Sequence, residues 1–179
     1  MINKNKIILD LCSGTGSWSR PYKEAGYKVI TITLPKYNVT WTEFGTDRVI
    51  SFRKPNGVND LVIRAENVYG ILAAPPCTMF SFARTNAKKP RDLAEGMKCV
   101  EACLKIIWHC NEVQQATGKK TLPLKFWALE NPYYGFLPQF LGKPAFTFDP
   151  SEKFGLFDGQ TRRSITPQGF AKAFFDSNG

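Results

Sequence analysis

The first 32 residues constrain the fold more than any other stretch. An apolar run, Ile7-Ile8-Leu9-Asp10-Leu11, ends in Cys12-Ser13-Gly14-Thr15-Gly16-Ser17, and a second apolar run covers Val29-Ile30-Thr31-Ile32. Short, nearly continuous apolar runs bounded by turn residues are the pattern of strands buried on both faces, as in parallel sheets. Residues 18–25 between them read as a helix, with Ser17 as a cap and Gly26 as the stop. Strand, glycine turn, helix, strand opens an α/β fold of the Rossmann-like, doubly wound type with a mostly parallel sheet.

The rest of the chain extends that plan. Apolar runs at 68–74 and 126–129 read as further central strands, and 93–115 as a long helix with apolar or small residues at Met97, Val100, Leu104, Ile107 and Cys110. Residues 35–59 are polar and turn-rich, with one candidate strand at 48–52, and 60–63 is a short apolar patch without an assigned place. A helical turn is expected at 136–141 and a closing helix at 167–175, with Thr166 as its cap and Pro167 in its first turn. There is no internal repeat and no long linker, so 1–179 reads as a single domain, long enough for a sizeable core.

Strands of such a sheet deliver reactive groups at their carboxyl ends. The run 68–74 leads into Pro75-Pro76-Cys77-Thr78-Met79-Phe80-Ser81, where two prolines stiffen the exit and limit how the Cys77 thiol is presented. A rigidly presented thiol suits nucleophilic catalysis, for which the thiolate is the reactive form, and equally suits a buried structural cysteine. The run 126–129 leads into Glu130-Asn131-Pro132, so Glu130 shares the sheet edge with Cys77. A glutamate with a raised pKa can donate a proton to a ring nitrogen. In the first turn, Gly14 and Gly16 allow a tight bend and close approach of a nucleoside cofactor. Asp10 either organises that turn or accepts from an amino group. The place after the second strand reads Ile32-Thr33-Leu34-Pro35, without the acid that holds ribose hydroxyls in NAD enzymes, and GxGxxG is incomplete. Both facts argue against NAD and leave Thr33 as a weak ribose contact.

Charge enters here. The chain carries 24 basic and 15 acidic residues, net +9, which favours an anionic partner such as nucleic acid. Arg84, Lys88, Lys89 and Arg91 lie in one basic loop, and Gln160, Arg162 and Arg163 cluster late in the chain, where arginine forks suit phosphate or a base carbonyl. Trp18, Trp41, Trp108 and Trp127 read as core or pocket wall. No run of 18 apolar residues suggests a membrane span, and five irregularly spaced cysteines suggest a reducing, cytoplasmic setting rather than a disulfide framework. Cys99, Cys103 and Cys110 share one helix face, which resembles core packing, and His109 points about 100° from Cys110, so no metal is expected.

Taken in order, Asp10-Leu11-Cys12-Ser13-Gly14-Thr15-Gly16, Pro75-Pro76-Cys77-Thr78-Met79-Phe80-Ser81, Glu130-Asn131-Pro132, Gln160-Thr161-Arg162 and Arg163-Ser164-Ile165-Thr166-Pro167 resemble the motifs of the cytosine-C5 DNA methyltransferases, most strongly small phage or prophage members. The resemblance implies a Cys77 nucleophile, Glu130 at the third ring nitrogen, and Arg162 at the target's face or backbone. It also implies S-adenosylmethionine over Asp10, Cys12, Ser13, Gly14, Thr15, Gly16 and Ser17, with Thr33, Asp60 and Pro75 contributing, and the cytoplasm of a phage-infected or prophage-bearing bacterial host. Asp60 resembles the third-strand acid that contacts adenine. Ser164 stands where a second arginine is usual, and 28 residues between Asn131 and Gln160 are too few for a target-recognition domain. DNA is the implied substrate, with recognition supplied by a partner chain or relaxed. Two alternatives stay open: a cysteine enzyme acting on a pyrimidine nucleotide or modified cytosine, and a non-catalytic nucleic-acid or protein-binding derivative.

Overall fold

The computed structural model describes residues 3–55, 57, 60–82, 87–116, 124–132, 134–145, 147 and 166–179. Strands β1 (Ile7–Leu11), β2 (Lys28–Ile32), β6 (Val68–Ala73) and β7 (Phe126–Leu129) form a wholly parallel sheet in the order β2-β1-β6-β7. Strands β3 (Thr42–Phe44), β4 (Val49–Phe52) and β5 (Leu61–Arg64) form a separate antiparallel meander between β2 and β6 in the chain. The fold is α/β, as the sequence pattern requires. The meander answers the apolar patch at 60–63, which is β5, while β3 carries no apolar signal strong enough to announce it.

Side-chain alternation divides the core into two faces. Leu9 and Leu11 of β1 pack with Ile71, Ala73 and the long helix α2 (Leu93–Ala116), together with Ile50, Phe52 and Ile63 of the meander. Ile8 faces the other way, onto Trp18, Tyr22 of α1 (Arg20–Glu24) and Ala171 of the closing helix α4 (Gln168–Asn178). Helices therefore cover both faces of the parallel sheet. A short helix α3 (Leu137–Leu141) packs with Phe80 and Val100 in a third cluster.

The buried stripe of α2 runs Val100, Cys103, Ile106, Ile107, Cys110, Val113 and Gln114, the three- and four-residue spacing of one helical face. Asp92 starts this helix by accepting from the Glu95 amide at 2.9 Å. Gln114 ends it, its Nε2 donating at 2.9 Å to both the Ala65 and Val68 carbonyls and so fixing where β6 begins. At Gly70 an added Cβ would collide with the Phe126 ring, so only glycine lets β7's ring lie across β6.

Three local expectations need correction. Helix α1 starts at Arg20, not at 18, and Ser17 is not its cap, because Ser17 Oγ accepts from the Thr166 amide at 3.0 Å. That bond ties the segment before α4 to the first turn. The capping position of α4 is held by Pro167 without a side-chain bond, so Thr166 does not cap it. Trp18 is buried as expected and Trp41 walls a groove on the meander, whereas Trp108 and Trp127 are each about half exposed and form no core.

Candidate active site

In the strand order, β1 is the hinge of the topology: the chain moves from β1 to β2 on one side and returns to β6 on the other. The carboxyl ends of β1 and β6 therefore flank a switch point, the place where parallel sheets leave a crevice for ligands. The ladder continues past the strand ends. The Cys12 amide donates to the Ile32 carbonyl at 2.8 Å, Ala74 to Leu11 at 3.0 Å, and Glu130 to Ala73 at 2.8 Å. All four strand exits thus leave in register on one edge.

Two exits are bonded to each other by a side chain. Asn131 Nδ2 donates to the Pro75 carbonyl at 2.9 Å, across 56 residues of sequence. This locks the Pro75-Pro76-Cys77 exit to the Glu130-Asn131-Pro132 exit. Pro75 is buried and Pro76 exposed, and Cys77 and Glu130 are both half-buried. The Cys77 carbonyl accepts from the Phe80 and Ser81 amides, each at 2.9 Å, which folds the chain into a tight turn after the thiol. Burial pushes the Glu130 carboxyl above the ordinary glutamate range.

The two arms then meet again. Ser81 and Gly135 form an isolated antiparallel bridge, and the Phe136 amide donates to the Phe80 carbonyl at 2.9 Å. A Cβ on Gly135 would lie 2.7 Å from the Phe80 oxygen, so the close approach depends on that glycine. Arg91 braces the same crossing. Its guanidinium donates to the Met79 carbonyl at 2.6 Å and the Ser81 carbonyl at 3.1 Å, and lies 4.7 Å from the centre of the Phe136 ring. Arg91, expected as a nucleic-acid contact, is instead a strut of the site's wall. Lys88 and Lys89 are exposed.

The first turn is built around two left-handed glycines, Gly14 at φ 51° and Gly16 at φ 69°. Nothing lies within 4 Å of a Cβ added at Gly14, and only the Ser19 hydroxyl, at 3.9 Å, at Gly16. Ser13 is half-buried and Thr15 exposed on this turn. Beneath it, Asp10 is 1% exposed, and its Oδ2 has no hydrogen-bond partner among the described residues. Burial raises its carboxyl to about 7 against a Ser19 hydrogen bond that lowers it, and Ser19 Oγ in turn donates to the Gly16 carbonyl at 3.3 Å. Asp10 therefore sits under the turn it was expected to organise.

Other expected residues fall elsewhere. Cys12 adopts φ 57° and packs against the α2 face of the core, hydrogen-bonded to Cys103, which lowers its thiol from the usual value. Its side chain is turned inward, not beside a ligand over the glycines. Thr33 is half-buried at the end of β2 and uses its carbonyl to accept from Tyr37 at 2.9 Å. Asp60 is exposed at the start of β5 in the antiparallel meander, where it accepts from the Lys54 amide at 3.4 Å. The third parallel strand that would bring an acid to the site is replaced by that meander, so Asp60 does not join the group. Arg84, Gln160, Arg162 and Arg163 lie outside the described residues. Cys103 and Cys110 are buried in the core and Cys99 packs beside it, while the His109 ring rests 4.8 Å from Phe44. Among the described residues no three His, Cys, Asp or Glu side chains group as metal ligands, and no helix is long and apolar enough to cross a membrane.

Sequence reasoning missed Gly135, Arg91's bracing role and Gln114. Gly135 follows Tyr134 in an aromatic-glycine-aromatic string, which is the one signal that marks a close backbone approach. A groove of about 470 Å³ lies on the meander, lined by Thr40, Trp41, Glu43, Arg53 and Lys54, away from Cys77 and Glu130. Comparison of the chain with family models, curated proteins and solved structures gives no match.

Proposed function

We propose that this chain is an S-adenosylmethionine-dependent enzyme of Rossmann-like fold that methylates the fifth carbon of cytosine in DNA. The observation that carries the reading is the Asn131–Pro75 bond, which joins the cysteine-bearing exit of β6 to the glutamate-bearing exit of β7, beside the switch point between β1 and β6. Those two groups are what a cytosine ring needs. The Cys77 thiolate adds to the sixth carbon, forming a C–S bond and moving the electron pair toward the fifth carbon. Glu130, its carboxyl held up by burial, supplies the proton that the third ring nitrogen takes as the pair moves. After substitution at the fifth carbon, water acting as base takes the proton there, the returning electron pair expels Cys77 as thiolate, and the third ring nitrogen gives its proton back to Glu130.

S-adenosylmethionine, when bound, supplies an electrophilic methyl group. The residues suit one end of it better than the other. Ser13, Gly14, Thr15 and Gly16 offer an open turn, and Asp10's partnerless oxygen beneath that turn favours a neighbouring cationic ammonium. Pro75 follows the β6 exit beside that turn. At the ribose end only Thr33 is present, in place of a carboxylate. This thin ribose site favours weak cofactor binding, and it is also the observation that favours the non-catalytic alternative.

The deciding experiment uses duplex and single-stranded DNA carrying 5-fluorocytosine, whose fluorine cannot leave as a proton, so the cysteine stays attached. A covalent DNA–protein adduct that needs S-adenosylmethionine, maps to Cys77 and disappears in Cys77→Ser is expected. Absence of any adduct, together with no cofactor binding at millimolar concentration, overturns the reading. The second outcome leaves the binding alternative.

A further inference from the structure

The two arms that carry Cys77 and Glu130 cross at the Ser81–Gly135 bridge, and that crossing has a consequence one residue further out. The next residue on each arm is aromatic: Phe82 follows Ser81 on one, and Tyr134 precedes Gly135 on the other. Both are aromatic, and both are out in solvent: Tyr134 is 78% exposed and Phe82 55%. The Phe82 ring also lies edge-on to Phe136, centroids 5.0 Å apart, and the Arg91 guanidinium lies over the Phe136 ring at 4.7 Å. Phe82 and Tyr134 are thus exposed beside a braced crossing. Lys88 and Lys89 are exposed three and two residues before Arg91, in a chain of net charge +9.

We infer that this platform is a single-stranded DNA-binding surface: Phe82 and Tyr134 stack on bases flanking the cytosine presented to Cys77, and Lys88 and Lys89 meet the phosphates. Flat π faces and nearby positive charge are what an unpaired strand offers partners for. A duplex hides its base faces in the stack and shows edges and phosphates, which polar side chains read. Unpaired cytosine also enters the site without the cost of extrusion from a helix. The inference rests on the methyl-transfer reading for which base is brought to Cys77, and it narrows that reading to an unpaired substrate.

The test measures binding apart from chemistry. Fluorescence anisotropy follows the full chain binding a fluorescein-labelled, cytosine-containing single strand and the matching duplex at one fixed salt concentration. The single strand is expected to bind at least about tenfold tighter, and Phe82→Ala with Tyr134→Ala to lose about tenfold or more of that affinity with duplex binding unchanged. Tyr134→Trp keeps a stacking face and retains the affinity, which separates loss of stacking from loss of folding. Lys88→Glu with Lys89→Glu weakens both forms and flattens the salt dependence. Equal or tighter duplex binding overturns the inference, as does single-strand binding indifferent to the alanine pair; methyl transfer then stands or falls on its own adduct experiment. Platform-dependent single-strand binding with neither a Cys77 adduct nor cofactor binding supports the surface and overturns the enzyme.

Discussion

Asp10 is a buried acid whose charge is at odds with its surroundings, and its titration follows from that. Its carboxyl, at about 7 in the folded chain against 3.8 ordinarily, holds its proton where the unfolded chain has released it. Below about pH 4 both states are protonated and folding carries no penalty. As pH rises toward 7 the unfolded state ionises first, so stability falls, and above 7 the whole cost of a buried charge is present. The expected cost is on the order of 4 kcal/mol. Asp10→Asn, nearly isosteric and uncharged, should therefore raise stability by a few kcal/mol at pH 8 and change it little at pH 4, read by urea unfolding at both values. A gain equal at both pH values would show that the proton on Asp10 is not the cause. A cation bound beside Asp10 opposes the same penalty, so an enzyme that needs Asp10 for its ligand trades stability for a ready counter-charge.

The strand exits are where elements act, and they are also where sequence pattern and structure part company. Strands β1, β2, β6 and β7 were legible because each is a short apolar run before glycine, proline or a polar break, and the switch point follows from their order. Helix α2 was legible from its apolar spacing. Of the meander, β4 (Val49–Phe52) was legible as the candidate strand at 48–52, whereas β3 is Thr42-Glu43-Phe44 and has no alternating pattern long enough to read. Nor was the fate of Asp60, whose place depends on which sheet β5 joins. The tie between exits was half-legible: asparagine after a strand suggests a backbone bond, but the partner 56 residues away is a matter of packing. The crossing at Gly135 gives this scale its prediction. Gly135→Ala pushes a methyl group against the Phe80 backbone carbonyl at 2.7 Å, which cannot swing aside as a side chain would, so the arms part. A cost of about 1–3 kcal/mol is expected, with adduct formation at Cys77 falling by more than tenfold. Differential scanning calorimetry and the fluorocytosine assay read the two effects. Unchanged adduct formation would mean that the crossing does not position the thiol.

On the scale of the whole molecule, the antiparallel meander looks like an insertion, yet its core is not its own. Ile50, Phe52 and Ile63 share one cluster with Leu9 and Leu11 of β1 and with Cys103, Ile106 and Ile107 of α2. Gln114 adds a polar clasp where the meander's last strand passes into β6. A shared core removes the option of unfolding one sheet and keeping the other, because opening the meander exposes the α2 face of the parallel sheet as well. Phe52 is fully buried at that junction. Phe52→Ala should cost about 3–5 kcal/mol, and native-state amide exchange should show protection falling together in β1 and β4, since both report one cooperative unit. Loss confined to β4, with β1 protected as before, would mean that the meander opens alone and that its packing against α2 contributes little. The distinction bears on the site, because the amide of Cys12, the residue after β1, is held by Ile32 and the thiol of Cys12 by Cys103 on α2. If the meander and α2 loosen together, the glycine turn loses its footing, and weakened cofactor binding should accompany the lost protection in the same variant.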